Sequence, residues 1–167
     1  TSPQCALDTI VLTTLDTLEF GHSQDSEDAR CHLLYADATA VSPLGTLYAA
    51  PPGANLDDTT VGSHWMFLAV HAARRHQRRW ALLTNGLTWR LLDADHQTPY
   101  EVYLELDLGV LRDGRQVPAE LARALWSYLR RDAWLPGDEG KSGLDAQDEA
   151  SRAATQALEE HLRGQIE

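Results

Sequence analysis

The side chains able to do chemistry fall in a few groups along this chain. His64, His71 and His76 stand in one apolar-periodic segment, and His64 and His71, seven residues apart, can share a helix face. Imidazoles so spaced could hold zinc. A structural zinc site converges about four ligands, and no cysteine pair or acidic residue accompanies these histidines at a useful interval. Surface or capping histidines are expected there, and no metal or other cofactor. Asp57 and Asp58 follow Pro51-Pro52-Gly53, where carboxylates start the next helix at its positive dipole end. Ser63-His64 and similar Ser/His/Asp combinations are too common to specify a hydrolase triad. There is no Gly-rich phosphate loop and no methyltransferase cofactor motif.

Arg74, Arg75, Arg78 and Arg79 make a dense basic end to the same segment, and Arg90 follows closely. Two roles compete for them: compensating the negative end of a helix dipole, or contacting phosphate or an acidic partner. The formal net charge of −11 sets the chain apart from free-standing DNA-binding domains, which are usually basic. The acidity clusters early (Asp25, Glu27, Asp28) and late (Asp138, Glu139, Asp145, Asp148, Glu149). Lys141 is the single lysine. Cys5 and Cys31 read as buried thiols rather than a disulfide, because nothing marks the chain for export. The N-terminal stretch carries Asp8 and Asp16 and lacks a basic start, so it does not read as a signal peptide. No apolar run reaches the roughly 18 residues of a membrane span, and a cytoplasmic location is expected. The five tryptophans read as packing residues rather than base-stacking platforms.

These side chains need elements to hold them. Residues 4–20 predict a helix with Ala6, Ile10, Leu15 and Leu18 on one face and Gly21 as its stop. Residues 21–29 read as a polar loop. Strands are expected at 30–40 and 44–50, and Pro51-Pro52 ends the second. Residues 59–78 predict a helix capped by Thr59 or Thr60, with Val61, Trp65, Leu68 and Ala72 on its face. In residues 80–93, WALLTNGLTWRLLD, two apolar runs flank Asn85-Gly86, the turn of a β-hairpin with positive φ expected at both residues. Residues 100–107 alternate like a half-exposed strand. Pro118 opens a helix to about residue 135, with Leu121, Leu125 and Leu129 as its stripe. Residues 136–143 read as a linker, and a last helix covers 144–163 with a thin stripe of Leu144, Ala154, Leu158 and Leu162. The fold expected is α/β (α+β): a mixed central sheet of about five strands flanked by helices. The domain would span 1–135, followed by the 136–143 linker and a helical connector at 144–167.

WALLTNGLTWRLL resembles a hairpin of the N-terminal PD-(D/E)xK nuclease-like domain of type I and type IIG-like restriction-modification proteins. PYEVYLELDL, ARALWSYLRRDAWL and LDAQDEASRAATQALEEHLRG are similar to the strand, helix and helical connector that follow there. The resemblance implies a restriction-endonuclease-like fold in a prokaryotic anti-phage system. It also implies a DNA methyltransferase domain or subunit, or a helicase-type subunit, as partner. In that class an Asp on one strand and a Glu on the next hold a divalent metal, and a Lys two residues beyond the Glu stabilises transition-state charge.

The resemblance places Asp37 at the Asp position, Ala49 at the Glu position and Pro51 at the Lys position. Neither Ala49 nor Pro51 can hold metal or stabilise a phosphate. A non-catalytic, DNA-associated or scaffolding module is therefore expected, inactive as a nuclease by itself. Arg74, Arg75, Arg78, Arg79 and Arg90 would touch nucleic acid or a partner, and Asn85 and Gly86 would serve as the turn. Two alternatives remain open: an active Mg2+-dependent endonuclease using Asp37 with Asp57 or Asp58, and a protein-interaction module without DNA contact.

Overall fold

A computed structural model describes residues 3–60, 62, 64–109 and 118–163, with side chains between residues 8 and 157 of these. The chain divides into two compact units, Thr1–Arg131 and Asp132–Glu167. The first is built on six strands: β1 (Gly21–Gln24), β2 (Cys31–Tyr35), β3 (Gly45–Ala49), β4 (Trp80–Thr84), β5 (Thr88–Asp93) and β6 (Tyr103–Asp107). They lie in sequence order in one open sheet. All neighbours are antiparallel except β3 and β4, which are parallel. A parallel pair needs a crossover, and helix α2 (Trp65–Arg75) supplies it. The architecture is α+β with a mixed sheet, as expected. It has six strands rather than five, because the polar GHSQ read as loop is strand β1.

Strand alternation sorts the core onto two faces. Cys31, Tyr48, Ala81, Leu83 and Leu92 form one buried cluster with Trp65, Met66, Ala69, Val70 and Ala73 of α2. The residues between them in sequence, Leu34, Leu47, Leu82, Trp89 and Leu91, turn to the other face and are all buried. Helix α1 (Pro3–Thr17) lies on that side, since its Asp8 and Leu12 share a pocket with His22 and His32. Among its described side chains, Val11 and Leu15, one turn apart, are buried. Ile10, expected inside, is half exposed.

Both helices end earlier than the sequence predicts, and for the same reason. After α1, the Phe20 N–H donates to Leu15 O and the Glu19 N–H to Asp16 O. After α2, the Arg78 N–H donates to Ala73 O and the Gln77 N–H to Arg74 O. These are Schellman motifs, which need a left-handed residue. Glu19 (φ 68°) and Gln77 (φ 55°) take that conformation although neither is glycine. Gly21 does not stop α1. It starts β1, where a Cβ would stand 2.4 Å from the Asp37 backbone.

The α2 N-terminus also differs from expectation. The helix starts at Trp65 with His64 as cap, and no side chain caps it. Val61, expected on its face, lies outside the described residues. The long helix expected from Pro118 is broken into α3 (Ala119–Ala124), a π-turn (Leu125–Leu129) and a 3-10 turn (Arg131–Ala133). The Arg131 N–H donates to Leu18 O at 3.0 Å, and its guanidinium donates to Ala36 O at 3.3 Å. Those bonds draw the chain out of helical register. In the second unit, Ser142 and Asp145 cap α4 (Gly143–Arg163) reciprocally: Ser142 Oγ donates to Asp145 Oδ2 at 2.7 Å and the Asp145 N–H returns at 3.2 Å. Leu144 is buried and Ala154 exposed; the side chains of Leu158 and Leu162 lie outside the described residues. Among the described residues, no helix is long and apolar enough to cross a membrane.

Candidate functional site

The hairpin turn is built differently from its sequence signature. Thr84 pairs with Trp89, and the Asn85 N–H reaches Thr88 O at 3.3 Å. The two loop residues are thus Gly86 and Leu87. Gly86 alone has positive φ, at 100°, which suits glycine first in a two-residue loop. Asn85 closes the turn with its side chain: its Oδ1 accepts from the Leu87 N–H (3.2 Å) and the Thr88 N–H (2.9 Å). Its Nδ2 donates to Ala54 O at 2.9 Å. Asn85 therefore fixes both the hairpin and the loop that leaves β3.

A second clasp holds that loop. Arg90, 5% exposed in its side chain, reaches Asp57 at 2.9 Å and Glu105 at 2.7 Å. Its guanidinium also lies 4.4 Å from the Tyr103 ring centre. Hydrogen bonds to Glu105 and Asp57 raise the Arg90 pKa despite the opposing effect of burial, which is the largest single influence. Its Nη1 is buried with no partner among the described residues. Asp57 is thus half of an ion pair. Asp58 is a turn former, accepting from the Thr60 N–H at 2.9 Å. Neither stands at a helix start.

Ala49 ends β3 almost fully buried, and the Ala50 N–H is taken by Thr84 O at 2.8 Å. Asp37 lies at the other end of the β2–β3 hairpin. With Cys31 opposite Tyr48 and Leu34 opposite Gly45, Ala49 faces Arg30, about 16 Å of strand away from Tyr35. Asp37 is exposed, and its Oδ1 accepts from the Thr39 N–H (2.7 Å) and hydroxyl (2.6 Å). Those bonds hold its carboxyl below the ordinary range. The structure does not bring Asp37 together with Ala49, Pro51, Asp57 or Asp58.

The arginines at the end of α2 have internal partners. Arg74 donates to Ala94 O at 2.8 and 2.6 Å. Arg75 binds Asp25 and approaches Glu27. Arg78 donates to His76 O at 3.2 Å. Arg79 grips Asp93 with two bonds, 3.1 and 2.7 Å, and stacks on Trp80. They join α2 to the sheet and to the β1–β2 connection.

Sequence reasoning passed over one cluster. Asp25, Cys31 and His76 bring a carboxylate, a thiol and an imidazole within 4.8 Å of one another, the only such group among the described residues. Asp25 is buried. It accepts from His76 Nε2 at 2.8 Å, from Arg75, and from the Glu27 N–H at 3.1 Å. Burial pushes its pKa up; the hydrogen bonds from His76 and the Glu27 N–H and the charge of Arg75 outweigh this and hold it below the usual value. Burial, helped by the Asp25 charge, raises the Cys31 thiol to about 12. The sequence signal was present but dispersed: an acid in a polar run, a lone cysteine and the last histidine of a helix.

Three other features stand apart from these. His64, Phe67 and His71 stack along the exposed side of α2, with centroids 5.8 Å apart at each step, and Tyr100 closes on them. His32 is buried beside His22 in a polar pocket, with Nδ1 unpartnered among the described residues, and burial lowers its pKa. A groove of about 670 Å³ runs between α1 and the π-turn, lined by Ile10, Thr13, Leu18, Leu125 and Trp126. Trp126 is 65% exposed there under the Arg130 guanidinium, 3.9 Å away. Set beside known family models, curated proteins and solved structures, the chain finds no match.

Proposed function

We propose that this chain is a non-catalytic, nuclease-like, DNA-associated or scaffolding module of a prokaryotic restriction-modification or anti-phage system, working beside a DNA methyltransferase or a helicase-type subunit. The observation that carries the reading is the end of β3. Ala49 and Pro51 stand where the resemblance requires a carboxylate and an ammonium, and the following loop is bound down by Asn85 and Arg90. The carboxylates that could substitute have other partners: Asp57 pairs with Arg90 and Asp37 folds its own turn. The mixed sheet, with its parallel β3–β4 pair joined by α2, supports the nuclease-like part.

The test is incubation of the purified chain with supercoiled plasmid and Mg2+ or Mn2+. No nicking is expected. Nicking that disappears in Asp37→Ala would overturn the reading in favour of an active endonuclease.

A second reading, an interaction module without DNA contact, is favoured by the arginines. Arg74, Arg75, Arg79 and Arg90 are engaged within the chain, and the net charge is −11. A duplex titrated at falling salt separates the two. Phosphate contacts give an affinity that climbs steeply as salt falls, whereas an interaction module shows no binding at any salt.

A further inference from the structure

We infer that Asp25, Cys31 and His76 form a site for a thiophilic divalent cation, zinc foremost, which would clip the β1–β2 connection to the C-terminus of α2. The donor set is one oxygen, one sulfur and one nitrogen. Zinc accepts all three, and three protein ligands with an open fourth position is a known zinc arrangement. Soft sulfur and imidazole select against magnesium and calcium, which take oxygen donors.

The geometry is close to what the ion needs. Ligand bonds of about 2.0–2.3 Å at tetrahedral angles put donor atoms about 3.3–3.6 Å apart. Here all three lie within 4.8 Å, and His76 Nε2 stands 2.8 Å from Asp25 Oδ2. The ligands come from three different places, the β1–β2 connection, the first residue of β2 and the cap of α2. Coordination therefore joins separate elements instead of decorating one. The C-terminal end of α2 carries partial negative charge that favours a cation. His76 is 23% exposed in its side chain and gives the ion a way in.

One group competes. Arg75 occupies Asp25 Oδ2, so the guanidinium must leave when the ion arrives. It has a place to go, because Glu27 already lies 3.5 Å from its Nη1. On binding, the Cys31 S–H bond breaks, the sulfur bonds the metal as thiolate and the proton passes to solvent. His76 binds through Nε2 as neutral imidazole, its ring proton now on Nδ1, and water takes the fourth position. This inference does not rest on the proposed function, and plasmid cleavage or its absence leaves it untouched.

The test is cobalt titration of the full chain as a spectroscopic stand-in for zinc, with Cys5→Ser as background so that Cys31 is the only thiol. A near-ultraviolet thiolate-to-cobalt charge-transfer band is expected, bleached by zinc. It should be lost in Cys31→Ser and weakened at least tenfold in affinity in His76→Gln, a substitution at a partly buried helix cap outside the apolar core. Arg75→Gln should tighten binding by about tenfold, because the competing cation is gone. Absence of the band in the Cys5→Ser protein overturns the site, as does a band that survives Cys31→Ser. Unchanged or weaker affinity in Arg75→Gln overturns the role given to Asp25.

Discussion

The Asn85 side-chain amide donates to the Ala54 carbonyl at 2.9 Å, a bond across 31 residues that ties the central hairpin to the loop leaving β3. The same side chain caps its own turn through two N–H groups. Asn85→Ala removes all three bonds, and at about 0.5–1.5 kcal/mol each, shared among weak partners, should cost about 2 kcal/mol. Asn85→Asp keeps the turn acceptor and loses only the donor to Ala54, so it should cost about half as much. Urea unfolding of both variants checks the order. Equal losses would mean the two turn bonds contribute nothing, and no loss in Asn85→Asp would mean the tie to Ala54 contributes nothing.

Arg90 is the buried partner of two exposed carboxylates, Asp57 and Glu105. Arg90→Ala should destabilise by about 2–3 kcal/mol, less than a fully buried pair, because both acids can turn to water. Arg90→Met fills much of the volume over Tyr103 and should recover more than half of that loss. Chemical denaturation measures both. The same Arg90→Ala change should also expose the 51–58 loop to proteolysis before global unfolding.

Gln77 is exposed and holds φ at 55°. A non-glycine residue pays about 1–2 kcal/mol there, while glycine's greater unfolded-state freedom returns about 0.4–1 kcal/mol of that advantage. Gln77→Gly should therefore stabilise the protein by about 0.5–1 kcal/mol. A rise in melting temperature checks it. A fall would mean that the Gln77 side chain has a role its contacts do not account for.

Asp25 links stability to pH. Its folded pKa lies below the ordinary carboxylate value, so the unfolded chain takes up its proton first as pH falls. The stabilisation is complete above the unfolded value of about 4, and is lost as pH drops through that value towards the folded one. Unfolding free energy measured between about pH 6 and about pH 2 should fall less steeply in Asp25→Asn than in the parent chain. An unchanged slope would show that other carboxylates carry the acid sensitivity.

The hairpin at 80–93, the strands at 31–35 and 45–49 and the last helix were legible because each has a strong local pattern. The helix ends were not. Glycine or asparagine usually marks a left-handed C-terminal residue, and here Glu19 and Gln77 occupy it, so the pattern overran by three residues at each end. Strand β1 was missed because GHSQ has no apolar alternation; it is recruited by pairing with Cys31–Tyr35. The break in the helix after Pro118 depends on Arg131 bonding to Leu18 and Ala36, partners nearly a hundred residues or more away. The arginines were seen as a group, but their acceptors Asp25, Asp93 and Ala94 lie on elements that no local spacing connects to α2. The Asp25–Cys31–His76 cluster escaped for the same reason.

The open sheet leaves two rims, and both resist extension. The β1 rim is four residues long and polar, and it opens at Gly21, which is pressed against the Asp37 backbone. The β6 rim carries Glu105 and Asp107 among its five residues. An incoming strand would find a four-residue rim on one side and acidic side chains on the other, devices that discourage sheets from polymerising edge to edge. Among the described residues, a second copy would therefore meet only short, polar or acidic rims where two sheets could join edge to edge.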